Sequence, residues 1–304
     1  DNNTMIKNYL AAAALLFGMS ACGSSTSSKE AGEAADSTDT TNSQETMATN
    51  YNPADTSSVK VEVETTLGSF TVLLYGDTPR HRDNFIKLVK EGYYNNTLFH
   101  RVINEFMIQA GDPDSKTAVA GQALGSGGPG YTVDAEFVFP KHFHKRGALA
   151  AARQGDQVNP TKASSGSQFY IVTGKKVSEA EMANMEKYME QSAMQSHFAQ
   201  LAQQHMAEVR DMQAKGDQAG LEKLQNELIA ECEAYVAEHP VKVTDEMKKA
   251  YTTVGGTPHL DNNYTVFGEV VNGMETVDKI EKVETDRGDR PKEDIRIISM
   301  KVVD

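Results

Sequence analysis

The densest run of side chains able to do chemistry is Phe99-His100-Arg101-Val102-Ile103-Asn104-Glu105-Phe106-Met107-Ile108-Gln109-Ala110-Gly111-Asp112. It combines a permanent cation, an amide and a Phe-Met pair: fixed charge, hydrogen bonding and apolar surface, but no nucleophile. Taken singly, an arginine at a strand end is usually solvated and a Phe-Met pair usually packs a core. Other chemistries are poorly served. The two cysteines, Cys22 and Cys232, exclude a disulfide scaffold and a zinc site of clustered thiolates. The eight histidines are scattered without an HExxH, and His142 and His144 form an isolated HxH that is a weak metal signal. A net charge of −13 disfavours nucleic acid, because little here would release its counterions. Mean hydropathy is −0.50, and no apolar run reaches the ~18 residues of a membrane-spanning helix, which excludes a polytopic membrane protein.

The elements that must position these residues are mostly short strands. Val59, Val61 and Val63 alternate with polar residues, and a second alternating run from Phe70 to Tyr75 follows a glycine turn, so the pair reads as a hairpin. Thr78-Pro79 reads as a threonine cap with proline at the first helical position, and Gly92 as the stop. Further strands are expected at 98–103, 106–110, 148–152, 168–173, 264–270 and 295–303, and a helix at 274–281. Many short strands with few helices indicate an antiparallel sandwich or closed barrel.

Between 175 and 254 the pattern changes. Ser178-Glu179-Ala180-Glu181 is a capping box, and one helix is expected from there to about Ala214. Lys215-Gly216-Asp217 breaks it. A second helix follows over 217–237 with Leu221, Leu224, Leu228, Cys232 and Tyr235 on one stripe, then a short one capped by Thr244. This predicts an antiparallel helical hairpin inserted between two strands, with barrel segments at 59–174 and 255–304. Seven of the 13 methionines fall in the insert (Met182, Met185, Met189, Met194, Met206, Met212 and Met247). They would either fill the hairpin's own seam or present an adaptable surface to varied partners.

The N-terminus reads as an address. Met5 suits an initiator, Lys7 a positive n-region, and Leu10 to Met19 a short apolar h-region, followed by Ser20-Ala21-Cys22. Such a segment is a secretory signal peptide over 1–22. A cysteine directly after small residues resembles the processing box of bacterial lipoproteins, in which the cysteine is acylated. That implies lipidation at Cys22 and a bacterial envelope location on the outer membrane, facing periplasm or surface. An ordinary secreted protein is the alternative. Residues 23–58 have almost nothing to bury and read as a disordered tether.

Four motifs in order carry a family resemblance: the run from Phe99 to Asp112, then Gly147-Ala148-Leu149-Ala150-Ala151-Ala152-Arg153, Gly166-Ser167-Gln168-Phe169-Tyr170-Ile171, and His259-Leu260-Asp261 followed by Tyr264-Thr265-Val266-Phe267-Gly268. Together they resemble the cyclophilins, the peptidyl-prolyl isomerases. The resemblance implies a mainly β fold, a closed eight-stranded antiparallel barrel with two capping helices, and isomerase activity on X–Pro bonds without cofactor or metal. It implies that Arg101, Phe106 and Gln109 are catalytic. Met107, Ala152, Arg153, Gln168, Tyr170, His259, Leu260 and Tyr264 would bind substrate. Tyr170 stands where many members have Phe, His259 where many eukaryotic members have Trp, and Tyr264 in place of a common His. Partners would be proline-containing unfolded or exported polypeptides, and the membrane through the lipid, with no nucleic acid. The leading expectation is a folding catalyst of the envelope. The alternatives are a non-catalytic peptide-binding chaperone on the same fold, and an assembly protein using the helical insert.

Overall fold

The computed structural model describes residues 56–240 and 242–303. The expectations for the signal peptide, Cys22 and most of the tether lie outside the described residues. Eight strands form one antiparallel sheet: β1 (Val59–Thr65), β2 (Gly68–Leu74), β3 (Arg101–Ile103), β4 (Met107–Ala110), β6 (Ala148–Ala151), β8 (Phe169–Val172), β9 (Val266–Asn272) and β10 (Ile297–Val303). Their spatial order is β10-β1-β2-β9-β6-β8-β4-β3, and β5 (Thr132–Val133) and β7 (Ser164–Ser165) pair separately. β1 and β2 form the expected hairpin, turning between Thr65 and Gly68.

The sheet curls strongly but does not close into the barrel that the resemblance implied. β3 has only three residues, too few to extend a ladder along β10. The two edges meet instead through a single bridge, Leu98 to Arg296, and scattered backbone bonds such as Phe99 N to Ile295 O at 2.9 Å and Asn96 N to Ile297 O at 2.8 Å. The concave side holds the main core, including Val61, Val63, Phe70, Val72, Ile108, Leu149, Ile171 and Phe267. Two helices cover this core: α1 (Pro79–Lys90) buries Phe85, Leu88 and Val89, and α7 (Met274–Glu281) buries Val277 and Ile280.

Proline stands at the start of α1 as expected, but Thr78 does not cap it through its side chain. Its hydroxyl donates back to Tyr75 O at 3.4 Å. Glu136, distant in sequence, takes the cap: its two carboxylate oxygens accept from Arg80 N at 3.1 Å and His81 N at 2.9 Å. Burial pushes the Glu136 carboxyl up, yet the hydrogen bonds and charge of His81 together with these N–H groups hold it below its ordinary value.

Five helices connect β8 to β9: α2 (Glu179–Ala183), α3 (Met185–Gln204), α4 (Met206–Lys215), α5 (Gln218–Glu238) and α6 (Asp245–Thr253). The capping box at Ser178 forms in both directions. The single helix expected over 178–214 is broken into three. At Asn184 the side-chain amide donates to Ala180 O at 3.3 Å, a local bond that competes with regular helix. At His205 the ring nitrogen Nδ1 engages Glu208 instead. Gly216, at φ 68°, ends α4 in the left-handed conformation that glycine adopts without penalty.

The hairpin seam buries Met194, Phe198, Leu201, Val209, Leu224, Leu228, Cys232 and Val236. Met182, Met185, Met189 and Met247 fill a second cluster, against Phe143 of the sheet-bearing part. Most of the insert's methionines therefore pack internally, and Met206 is the exposed one, at 41%. Cys232 is fully buried, and burial pushes its thiol up to about 11. Native protein should therefore react with an aromatic disulfide reagent at least ~100-fold more slowly than urea-unfolded protein. Equal labelling rates would show that the seam opens freely.

Candidate active site

The strand period of two sorts side chains between the faces of the sheet. In β4, β6 and β8, Ile108, Ala110, Leu149, Ala151, Phe169 and Ile171 enter the main core. Their neighbours Met107, Ala148, Ala150, Tyr170 and Val172 form a separate cluster on the other face, with Phe106, Ala152, Leu260 and Tyr264 packed against it. Register then aligns one row across four strands: Arg101 lies opposite Gln109, Gln109 opposite Tyr170, and Tyr170 opposite Ala150. A guanidinium, an amide and an aromatic ring thus share one line over an apolar floor.

A cavity of about 590 Å³ opens above this row. Of the eleven residues expected in the protein site, nine line it: Arg101, Phe106, Met107, Gln109, Ala152, Arg153, Tyr170, Leu260 and Tyr264. Met107 and Tyr170 are nearly buried and form the floor. Leu260 comes from a 3₁₀ turn, Pro258–Leu260, that overhangs it. Arg101 is half-exposed, its Nε 3.6 Å from Asp289 Oδ2. The neighbouring His100 is buried, and burial lowers its imidazole pKa against the opposing pull of Asp112. A neutral ring there adds no second charge to compete with the guanidinium.

Gln168 and His259 do not line the cavity. Gln168 is buried and works underneath: Gln109 Nε2 donates to its Oε1 at 3.1 Å, while its own Nε2 donates to Gly125 O at 3.0 Å and Gly127 O at 2.7 Å. It ties the amide of the row to the loop forming one wall. His259 lies exposed outside, its ring stacked on Phe106 at 5.7 Å between centroids and 18° between planes. The Arg153 side chain is already engaged. Its Nε donates to Asn263 O at 2.8 Å, it pairs with Asp156 at 2.5 Å, and its guanidinium lies 4.4 Å from the Tyr264 ring centre. It braces Tyr264 and leaves backbone as the surface that segment offers.

Several contributors were not singled out from the sequence. Gly121, Gln122, Ala123, Leu124 and Gly125 build a wall beside Arg101, and Arg290 pins it by donating to Val119 O at 2.9 Å and Gln122 O at 3.0 Å. Asp112 holds the same loop through Gly125 N at 2.5 Å. It sits in the quoted motif, and its position just after the Gln109 strand was the available signal. Beside the site α3 contacts the flanking loops: Ser192 Oγ accepts from Asn263 Nδ2 at 3.0 Å, and Gln200 Nε2 donates to Pro160 O at 3.0 Å. The two HxH histidines serve different partners, His142 meeting Asp77 at 2.6 Å and His144 meeting Asp261 at 2.9 Å. Among the described residues no group of three or more His, Cys, Asp or Glu is placed to hold a metal ion.

The sequence is similar to known proteins of one kind. The family model "Cyclophilin type peptidyl-prolyl cis-trans isomerase/CLD" matches residues 59–234 and 180–302. A protein of Staphylococcus saprophyticus named a peptidyl-prolyl cis-trans isomerase is 30% identical over 262 residues, covering 84% of this chain and all of that protein. One of Streptococcus pyogenes, named a bifunctional phosphatase/peptidyl-prolyl cis-trans isomerase, is 32% identical over 248 residues. The match covers 81% of this chain but only 39% of that longer protein. A Cryptosporidium parvum cyclophilin structure superposes with a TM-score of 0.47 at 20% identity, over 82% of this chain and 99% of that one. With a family model spanning most of its length and a full-length relative at 30% identity, the chain belongs to the cyclophilin-type peptidyl-prolyl cis-trans isomerases.

Proposed function

We propose that this protein rotates X–Pro amides of exported polypeptides, with Arg101 as the group that stabilises the twisted state. The observation that carries the reading is the row Arg101, Gln109 and Tyr170 set over an apolar cavity floor. The X–Pro amide resists rotation because its C–N bond has partial double-bond character, with a barrier of about 18–20 kcal/mol. At the twisted transition state that conjugation is lost and the nitrogen lone pair localises. A cation donating a hydrogen bond to that nitrogen binds the twisted form better than the planar one.

The socket of Phe106, Met107, Tyr170 and Leu260 holds the proline ring, and backbone near Ala152 pairs with the peptide. Gln109, held by Gln168, contributes its amide to orientation. The position of Asp289 beside Arg101 sets the direction of the guanidinium. An acceleration of about 10⁵ corresponds to roughly 7 kcal/mol, within what one preorganised charge and desolvation of the amide supply. A protease-coupled assay with a proline tetrapeptide tests the reading. No acceleration at micromolar protein would refute it.

The cellular setting rests on sequence alone. A positive n-region, a short apolar stretch, Ser20-Ala21-Cys22 and a long polar segment support a lipid-anchored enzyme held off the envelope membrane. No helix among the described residues is long and apolar enough to cross a membrane. Cys22→Ser should therefore shift the protein from the membrane to the soluble fraction. Unchanged recovery in membranes would mean that something other than acylation attaches it.

A further inference from the structure

We propose that Tyr251, on the last helix of the insert, is a positioning residue of the proline socket, acting through Asp261 and His144 on Tyr170 and Leu260. The proposal rests on the socket reading above and extends it to a helix that does not line the cavity.

The contacts form one continuous buried chain. Tyr251 is fully buried, and its hydroxyl donates to Asp261 Oδ2 at 2.5 Å. Asp261 Oδ1 accepts from the backbone N of His144 at 2.7 Å and meets its ring Nδ1 at 2.9 Å. His144 is also fully buried, and its Nε2 lies 2.9 Å from the Tyr170 hydroxyl. In the tautomer with its proton on Nδ1 facing the carboxylate, the Nε2 lone pair accepts from Tyr170. Both tyrosine hydroxyls are held in the neutral form by burial, which raises their pKa. Donation therefore runs without conflict from each end toward the Asp261 carboxylate, and every side-chain polar atom of the chain has a partner.

The two ends of this chain differ in kind. Tyr170 is the cavity floor, and Asp261 directly follows Leu260, so the carboxylate fixes the turn that overhangs the socket. His144 O also accepts from Thr257 N at 2.9 Å, tying the start of the same turn to the same residue. Tyr251, by contrast, is set by the insert. Its ring meets Phe143 at 5.4 Å, within the cluster containing Met182, Met185, Met189 and Met247. Its backbone O accepts from Val177 N at 2.9 Å, where the chain leaves the sheet. The placement of the insert is thus read directly by the shape of the socket. Arg101 lies two strands from Tyr170 in the row, with Gln109 between them. The expected effect therefore falls on peptide binding rather than on turnover.

The test uses the whole protein and an Ala-Ala-Pro-Phe peptide, with Kd from NMR titration and with KM and kcat from the coupled assay. Tyr251→Phe is expected to raise Kd and KM about fivefold while kcat stays within about twofold. Tyr170→Phe should do the same, and the double variant should be no weaker than the worse single one, because both cut the same chain. The low-field Nδ1 proton resonance of His144 should move in Tyr251→Phe. An unchanged Kd with only a lower melting temperature would reduce Tyr251 to a structural residue and overturn the proposal, as would independent, additive effects of the two substitutions. If Tyr251→Phe does not fold, Asp261→Asn, which keeps the shape of the turn, is judged by the same Kd criterion. A wild-type protein that binds the peptide without turning it over refutes the isomerase reading alone, and one that binds no proline peptide refutes both.

Discussion

Arg101→Ala should lower kcat/KM for a proline peptide by about 10²–10³, the effect of removing one preorganised donor aimed at developing electron density. The loss should appear in kcat as well as in kcat/KM, because the bond is made in full only when the imide nitrogen becomes pyramidal. Folding should be nearly untouched. The Arg101 side chain is 43% exposed, and its ion pair with Asp289 spans 3.6 Å in contact with solvent. Exposed pairs of this kind contribute less than about 1 kcal/mol. Near wild-type kcat/KM with an unchanged circular dichroism spectrum would remove Arg101 from the mechanism. Arg101→Lys separates charge from geometry: a lysine keeps the charge but loses the planar fork of donors.

The second large effect is expected at Asp112, a residue that touches no proline in this scheme. It is 1% exposed. Its Oδ1 accepts from Asp114 N at 2.9 Å, and its Oδ2 from Gly125 N at 2.5 Å and Gly127 N at 3.4 Å. One carboxylate therefore folds a long loop back onto the end of β4, where that loop becomes a cavity wall. The approach is close enough that a Cβ on Gly127 would lie 2.1 Å from Asp112 Oδ1. Asp112→Ala leaves these backbone donors without their acceptor, at a cost of about 2–4 kcal/mol. The urea midpoint should fall accordingly. KM should rise as the wall loosens, while the residual kcat, set by Arg101, changes less. An unchanged midpoint together with an unchanged KM would show that Arg290 and Gln168 alone hold the loop.

These two residues illustrate different kinds of legibility. The shared neighbourhood of Arg101, Phe106 and Gln109 was readable because their motif is contiguous and strand geometry then dictates their placement: register sets Arg101 opposite Gln109. Asp112 lies in the same stretch, but its partners Gly125 and Gly127 become neighbours only after the loop closes. Gln168 was expected to bind substrate, and it lies buried and off the cavity lining, because the carbonyls that claim its amide belong to that same loop.

The sequence by itself determined what depends on near neighbours. The alternation of Val59, Val61 and Val63, the glycine turn of the first hairpin, Pro79 at the start of a helix, the Ser178–Glu181 capping box and the Gly216 stop each act through residues close in the chain. Tertiary structure decided everything in which a polar group found its partner across the fold. Glu136 displaced Thr78 as the cap of α1, the sheet curled without closing, and the HxH histidines parted to Asp77 and Asp261. The physical reason is common to the helix cap and the two histidines. A buried hydrogen-bonding group must be satisfied by whatever the assembled core brings within about 3 Å, and sequence distance does not enter that condition.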